Sequence, residues 1–127
     1  MLRPKGKKAV VLGAATKSNM GQMIARRLNE EGATVLVSGR NEDELKALSS
    51  EIGAVDIAVN ATGWGLLKPV LEITDDELDR IVDLQFKGVH YFLAEFVKIM
   101  MNNATSGGSL INISSATTKA LVNNHAA

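Results

Sequence analysis

Small and polar residues follow the first predicted strand in a pattern that suits the binding of a phosphate group. Residues 13 to 21 read Gly-Ala-Ala-Thr-Lys-Ser-Asn-Met-Gly, between a β-branched run and a segment with helical periodicity. Such residues let backbone N–H groups approach an anion at a helix N-terminus, where the helix dipole favours negative charge. The strict dinucleotide fingerprint and the P-loop pattern are both absent, so an ordinary strand–helix turn is an equally good interpretation of this segment alone.

Polar or charged residues also follow the other three predicted strands. Gly39-Arg40 follows the second strand, Asn60-Ala61-Thr62-Gly63 the third, and Ser114-Ser115 the fourth. An arginine at the end of the second strand of a dinucleotide fold suits a ribose 2′-phosphate, whereas an acidic residue suits a 2′-hydroxyl. Arg40, with Lys17 as a second cation, therefore favours NADP(H) over NAD(H). Taken alone, Arg40 is more simply interpreted as a solvated residue at a helix start.

Strand and helix patterns alternate along the whole chain. β-Branched apolar runs predict strands at Lys8–Leu12, Ala33–Ser38, Val55–Asn60 and Leu110–Ser114. Apolar residues at helical spacing predict helices from Met20 to Leu28, from Asn41 to Ile52 and, after a capping box of Thr74 and Glu77, from Asp75 to Asn102. This alternation predicts a single α/β domain, 1–127, with a doubly wound parallel sheet of about four strands. Ligands of such sheets bind beyond the carboxyl ends of the strands.

The composition limits the other classes of function. The 127 residues contain no cysteine and two histidines, which excludes thiolate zinc sites and a histidine-rich site, and we expect no metal. Fourteen lysines and arginines balance fourteen acidic residues, which argues against a basic surface for nucleic acid. The most apolar stretch, Val89–Met101, contains Glu95 and Lys98 and is not a predicted membrane span. Because no signal-peptide pattern follows the basic N-terminus, we expect a cytoplasmic protein.

Taken together and in order, these segments resemble the short-chain dehydrogenase/reductase family, in its 3-oxoacyl-reductase-like branch. The matching segments are Val11–Gly13 with Asn19–Gly21, Gly32–Val35, Gly39-Arg40, Asp56–Gly63, Gln85–Gly88 and Ile113–Ser115. The resemblance implies a Rossmann-like fold and hydride transfer between NAD(P)(H) and a small carbonyl or alcohol substrate. The cofactor-binding residues that it implies are Gly13, Lys17, Ser18, Asn19, Met20, Gly21, Arg40, Asn60, Ala61 and Gly63.

The same resemblance implies two residues for the chemistry and one surface for assembly. In the family a serine contacts the substrate oxygen, and Ser115 occupies that position. An asparagine of the long helix supports a proton relay, and Gln85 stands there, longer by one methylene. The long helix packs against its copy in the family, so the resemblance implies a homo-oligomer through residues 75–102. The apolar face of this helix could instead simply cover the sheet.

The sequence departs from the family pattern at several places. The catalytic tyrosine of the family would fall one position beyond Ala127, and the single tyrosine, Tyr91, is expected to be a packing residue. An edge strand and a helix of the family have no counterpart before Val55. The loop after Gly13 is longer than in the 3-oxoacyl branch and closer in length to the enoyl-acyl-carrier-protein reductase branch, whose pattern does not match Asn60–Gly63 and Ser115. Trp64 is interpreted equally well as a wall of a substrate pocket or as the cover of a core edge.

These departures lead to three hypotheses for the chain. The first is the N-terminal part of an NADP(H)-dependent reductase with an internal deletion, inactive as residues 1–127 alone. The second is a non-catalytic nucleotide-binding module, and the third is a truncated remnant that binds nothing well.

Overall fold

Four parallel strands form the centre of the structure, a computed structural model that describes residues 4–38, 53–105, 107–119 and 123. The strands are β1 (Lys8–Leu12), β2 (Thr34–Ser38), β3 (Ile57–Asn60) and β4 (Ser109–Asn112). Their order in the sheet is β2-β1-β3-β4, and every neighbouring pair is parallel. This confirms the predicted α/β fold, with each strand close to its predicted position. Arg40 and the predicted helix from Asn41 to Ile52 lie outside the described residues.

The described residues form three α-helices, α1 (Met20–Glu30), α2 (Asp75–Val82) and α3 (Gly88–Met101), of which α1 and α3 pack against the sheet. The predicted capping box at the start of α2 is present, with the side chains of Thr74 and Glu77 each bonded to the other residue's backbone. A π-helical turn, Asp83–Lys87, joins α2 to α3, so the helix predicted from Asp75 to Asn102 is not uniformly α-helical. No helix in the described ranges is both long enough and apolar enough to cross a membrane.

The hydrophobic core has two parts, one on each face of the sheet. On one face, alternate residues of the central strands pack against α3, in a cluster that includes Val10, Leu12, Ala58, Phe92, Phe96 and Met100. On the other face the intervening residues pack against α1, in a cluster that includes Val11, Val59 and Ala25. Because side chains alternate along a strand, β1 and β3 supply both parts of the core and read as continuous apolar runs. The sheet is therefore doubly wound, as predicted.

The outer surface of α2 and α3 carries apolar side chains that the core does not cover. Helical spacing predicts an apolar face of the long helix that consists of Leu78, Ile81, Val82, Gln85, Phe86, Val89, Leu93, Phe96, Val97 and Met100. The structure also buries Phe92, which this face leaves out. Five members of the predicted face are exposed, namely Leu78, Val82, Phe86, Leu93 and Val97. Tyr91, which was expected to be a packing residue, is 54% exposed and lies outside both parts of the core, and its ring contacts that of His90.

β2 forms one edge of the sheet within the described residues. Leu36 and Val37 are 37% and 53% exposed, although their types are those of a buried strand. The resemblance to the family implied a further strand beyond this position, and none of the described residues occupies it.

The register of the sheet brings the predicted site segments to one edge. Leu12 is paired with Ser38 on one side and with Asn60 on the other, and Asn60 is paired with Asn112. The backbone continues the ladder beyond the strands, since the N–H of Ala61 donates to the Leu12 oxygen at 3.0 Å. The segments that follow β1, β3 and β4 therefore leave the sheet side by side at its carboxyl edge.

Candidate functional site

The turn between β1 and α1 is close-packed around two glycines. A Cβ atom on Gly21 would lie 2.6 Å from the main-chain oxygen of Gly13. A Cβ atom on Gly13 would lie 2.6 Å from the main-chain oxygen of Ala61, and Gly13 also has a φ of +84°. Side chains at these positions would require the backbone to shift. The two glycines thus allow the N-terminus of α1 to lie directly against the turn and the loop after β3.

Asn19 ties this turn to the first turn of α1. Its Oδ1 accepts the N–H of Gln22 at 2.9 Å, and its Nδ2 donates to the main-chain oxygen of Gly13 at 2.7 Å. The neighbouring Ser18 has a left-handed backbone with a φ of 60°, and its N–H donates to Oε1 of Gln22 at 3.0 Å. Ser18 and the side chain of Asn19 therefore shape the loop.

The start of α1 keeps the properties expected of an anion site. Met20 and Gly21 are the first two helical residues, and such residues have N–H groups without an intrahelical acceptor. The first turn of the helix contains no acidic residue that would oppose an anion. Lys17 lies exposed in the loop just before it. Gly13 and the predicted residues from Lys17 to Gly21 are thus brought together at one helix N-terminus.

Asn60 is buried at the end of β3 and is hydrogen-bonded within the protein. Its Nδ2 donates to Oδ1 of Asn112, the paired residue of β4, at 2.8 Å. Its Oδ1 accepts the N–H and the hydroxyl of Thr62, at 3.1 and 2.6 Å. The side chain of Asn60 therefore holds the loop at Ala61 and Gly63 in place. Sequence analysis missed Asn112, whose signal was an asparagine inside an apolar strand.

Gln85 connects the π-helical turn to the loop after β3. Its Nε2 donates to the main-chain oxygen of Trp64 at 3.1 Å. Its Oε1 lies 3.4 Å from the point where a Cβ atom on Gly63 would be. The structure thus places Gln85 against a predicted cofactor-binding residue, and the extra methylene does not prevent contact with the loop.

The indole ring of Trp64 contacts α2. The guanidinium carbon of Arg80 lies 4.4 Å from the ring centre, in a cation–π arrangement. Trp64 is partly exposed and belongs to neither part of the hydrophobic core. Sequence analysis did not single out Arg80. The only signal was its position one to two helical turns before Gln85, which contacts the same loop.

Ser115 follows β4 at the same edge of the sheet. Its Oγ accepts the N–H of Thr117 at 3.2 Å and the hydroxyl of Thr117 at 2.8 Å. Ser115 thereby caps a short 3₁₀ turn, Ala116–Thr118. Because β4 is paired with β3, this turn emerges beside the loop that Asn60 holds.

Two ion pairs fix the helical segment that carries Arg80 and Gln85. The N–H of Thr74 and the Lys68 ammonium, 2.9 Å away, hold the pKa of the Glu77 carboxyl below its usual value. At the other end, Asp83 lies 2.7 Å from the ammonium of Lys87 and raises the pKa of that lysine. The first pair connects α2 to the preceding loop, and the second stabilises the π-helical turn.

A protein-family model described as enoyl-(acyl carrier protein) reductase matches residues 45–127. This chain belongs to the short-chain dehydrogenase/reductase family. Among similar proteins is an uncharacterized oxidoreductase of Staphylococcus epidermidis, 28% identical over 143 residues that cover 91% of this chain and 60% of that protein. The alignment is longer than the 127 residues of the chain, so the relative carries residues that this short-chain dehydrogenase/reductase lacks. This supports the predicted internal deletion.

Solved structures of dehydrogenases share the fold. NAD⁺-bound xylitol dehydrogenase has a TM-score of 0.83 and 20% identity, over 98% of this chain and 58% of that one. An Escherichia coli protein assigned as a short chain dehydrogenase, in complex with NADPH, has a TM-score of 0.79 and 17% identity, over 96% and 64% of the two chains. These likenesses confirm the Rossmann-like architecture. The chain spans about 60% of the length of the relatives that it matches.

Proposed function

We propose that residues 1–127 form the cofactor-binding part of an NADP(H)-dependent oxidoreductase that acts on a small carbonyl or alcohol substrate. The observation that carries this proposal is the contact between Gly13 and Gly21, which sets the start of α1 against the carboxyl edge of the sheet. Side chains at these glycines would collide with backbone atoms and push the start of α1 away from the turn, where the N–H groups of the helix would meet a pyrophosphate. The absence of an acidic residue from the first turn of α1 also fits an anionic ligand.

Different residues of the chain have different roles around the cofactor, which supplies or accepts the hydride when it is bound. The first turn of α1 would hold the phosphates. The main chain at Ala61 and Gly63 would line the path of the cofactor, and Asn60 would keep that main chain in place. Ser115 would hold the substrate oxygen with its hydroxyl group.

The binding of NADPH by a glycine variant tests this proposal. Replacement G21A would place a Cβ atom 2.6 Å from the Gly13 oxygen, and overpacking of this kind costs about 1–3 kcal/mol. We expect the dissociation constant for NADPH, measured by the fluorescence of the bound nicotinamide, to rise at least about tenfold. The matched control is G65A, because a Cβ atom on Gly65 meets nothing within 4 Å. Unchanged binding by G21A would contradict the proposal.

Arg40 is proposed to select the phosphorylated cofactor. Loss of a hydrogen bond to a charged group costs about 1.5–3 kcal/mol, so R40A is expected to weaken NADPH binding by about tenfold or more. NADH lacks the 2′-phosphate, and its binding should be unchanged. If calorimetry shows that R40A weakens the binding of NADPH and NADH equally, Arg40 does not select the phosphorylated cofactor.

A second candidate is a module that binds the nucleotide without turnover by these 127 residues alone. Tyr91 is their single tyrosine. Its ring meets that of His90 edge-on, with ring centres 5.8 Å apart. Within the described part of the chain, no hydrogen bond joins Tyr91 to Ser115. NADPH binding without oxidation in the presence of small ketones would favour this candidate.

We also propose that the exposed apolar residues of α2, the π-helical turn and α3 bind a second copy of the chain. These residues, the apolar stripe, are Leu78, Val82, Phe86, Leu93, Val97 and Met101. They recur at intervals of four and seven residues, which places them along one side of the helical segment. Contiguous exposed apolar surface of this kind is typical of interfaces between proteins.

A further inference from the structure

Arg80 has N–H donors that no carboxylate of the described residues takes up. Asp76 lies four residues before it and Asp83 three residues after it, and both spacings commonly give ion pairs on a helix. Neither pairs with Arg80 in the described ranges. Asp83 pairs with Lys87 instead, at 2.7 Å. The guanidinium of Arg80 lies over the ring of Trp64.

We propose that Arg80, stacked on Trp64, binds an anionic group of the substrate, a carboxylate or a phosphate. This inference rests on the proposed function, which supplies the substrate. A guanidinium that stacks on an aromatic face keeps the N–H groups at its edge available. Its planar fork matches the two oxygens of a carboxylate or phosphate, and such bidentate pairs are among the stronger hydrogen-bonded contacts in proteins.

The position of Arg80 agrees with this role. Trp64 directly follows Gly63, a residue proposed to line the cofactor, and Gln85 holds the main-chain oxygen of Trp64. The stacked pair therefore lies beside the loop after β3, whose main chain is proposed to line the path of the cofactor.

Neighbouring charges make Arg80 the relevant cation of this region. Lys68 and Lys87 are neutralised by Glu77 and Asp83, at 2.9 and 2.7 Å. Other carboxylates of α2 oppose an anion by their charge. Recognition therefore depends on directed hydrogen bonds from the guanidinium fork, and a lysine at position 80 would keep the charge without the fork.

The fluorescence of Trp64 gives a direct test, because it is the only tryptophan among the 127 residues. The purified protein, with and without saturating NADP⁺, is titrated with two pairs of probes. The first pair is acetoacetate and its neutral ethyl ester, and the second is dihydroxyacetone phosphate and dihydroxyacetone. Calorimetry repeats each titration without reliance on the tryptophan. The variants are R80M, R80K and, as the matched control, R26M, which removes an exposed arginine of α1.

We expect saturable quenching by at least one anionic probe and weaker binding of its neutral partner. R80M should raise the dissociation constant of the anionic probe about tenfold or more, and R80K should recover little of the lost affinity. R26M should bind like the wild type. The pair of probes that responds distinguishes a carboxylate from a phosphate.

Two results would overturn the inference: equal binding of charged and neutral probes, or unchanged binding by R80M in a protein of unchanged thermal stability. Absence of probe binding in a protein that binds NADP⁺ would also overturn it while leaving the proposed function in place. Binding of an anion through Arg80 without binding of NADP⁺ would contradict the proposed function alone.

Discussion

Gln85 donates a hydrogen bond from Nε2 to the main-chain oxygen of Trp64 at 3.1 Å, and so connects the π-helical turn to the loop after β3. A π-helical turn contains one more residue than an α-helical turn in each hydrogen-bonded ring, which rotates the side chains that follow. Here the N–H of Gly88 donates to the oxygen of Asp83, five residues earlier. The side chain of Gln85, longer than asparagine by one methylene, thus lies in the π-helical turn at the point where this turn contacts the loop after β3.

The first prediction concerns this contact and uses the variant Q85M. Methionine keeps the length and most of the volume of glutamine but cannot donate a hydrogen bond. We expect the free energy of unfolding to fall by about 1 kcal/mol. We also expect the emission of Trp64 to change, because the main-chain oxygen of that residue loses its partner.

The control for Q85M is the same replacement at Gln22, the other glutamine of the chain. Gln22 accepts a hydrogen bond from the N–H of Ser18 in the loop before α1. Q22M should therefore lower stability by a similar amount without changing Trp64 emission. A change of emission of the same size in both variants would show that the Gln85 contact does not orient Trp64.

Local pattern was sufficient to predict most of the fold. The apolar runs at β1 and β3 face a helix on each side, so their continuous hydrophobicity directly reports their burial. The capping box at Thr74 and Glu77 depends on neighbouring residues alone, so the start of α2 could be predicted. The sequence also indicated small residues in the turn after β1, although it did not predict the contact of Gly13 with Gly21.

Contacts between distant segments could not be predicted in the same way. Asn60 and Asn112 meet only because the sheet register pairs them. The stacking of Arg80 on Trp64 joins α2 to the loop after β3, and the π-helical turn follows α2 directly. Helical periodicity assumes 3.6 residues in every turn, so the pattern of the sequence could not reveal the turn. Helical periodicity also could not show that members of the predicted apolar face, such as Phe86, are exposed.

The second prediction concerns pH and Asp56, at the amino edge of the sheet. The N–H of Lys8, 2.9 Å from Oδ2, is the main cause that lowers the pKa of this carboxyl, and the ammonium of Lys7 adds to it at 3.1 Å. A pKa that is lower in the folded state stabilises the protein above the unfolded value, about 3.9. That stability is lost as the pH falls through the folded value.

Urea unfolding of D56N between pH 3 and pH 7 checks this prediction. At neutral pH the variant should be less stable by on the order of 1 kcal/mol, a value discounted for the partial exposure of the pair. The difference from the wild type should shrink as the pH falls below about 4. D79N is the control, since Asp79 is exposed and its carboxylate makes no hydrogen bond in the described ranges. A constant difference across the pH range would contradict the prediction.

The last prediction concerns the apolar stripe and the variant F86E. Phe86 is 76% exposed and lies near the middle of the stripe. Burial of a phenylalanine side chain is worth about 1.5–3 kcal/mol, and a glutamate there would also bring its charge into the interface. We expect the wild type to form dimers and F86E to raise their dissociation constant by about tenfold or more. Light scattering after size-exclusion chromatography over a range of concentrations measures both.

The matched control for F86E is L71E. Leu71 is 95% exposed but lies in the 3₁₀ turn before α2, outside the apolar stripe. If the stripe is the interface, L71E should assemble like the wild type, because it adds the same charge to a surface that the second copy does not contact. Equal loss of assembly in both variants would indicate a general effect of charge. A wild type that is monomeric at every concentration would leave the stripe without the proposed partner.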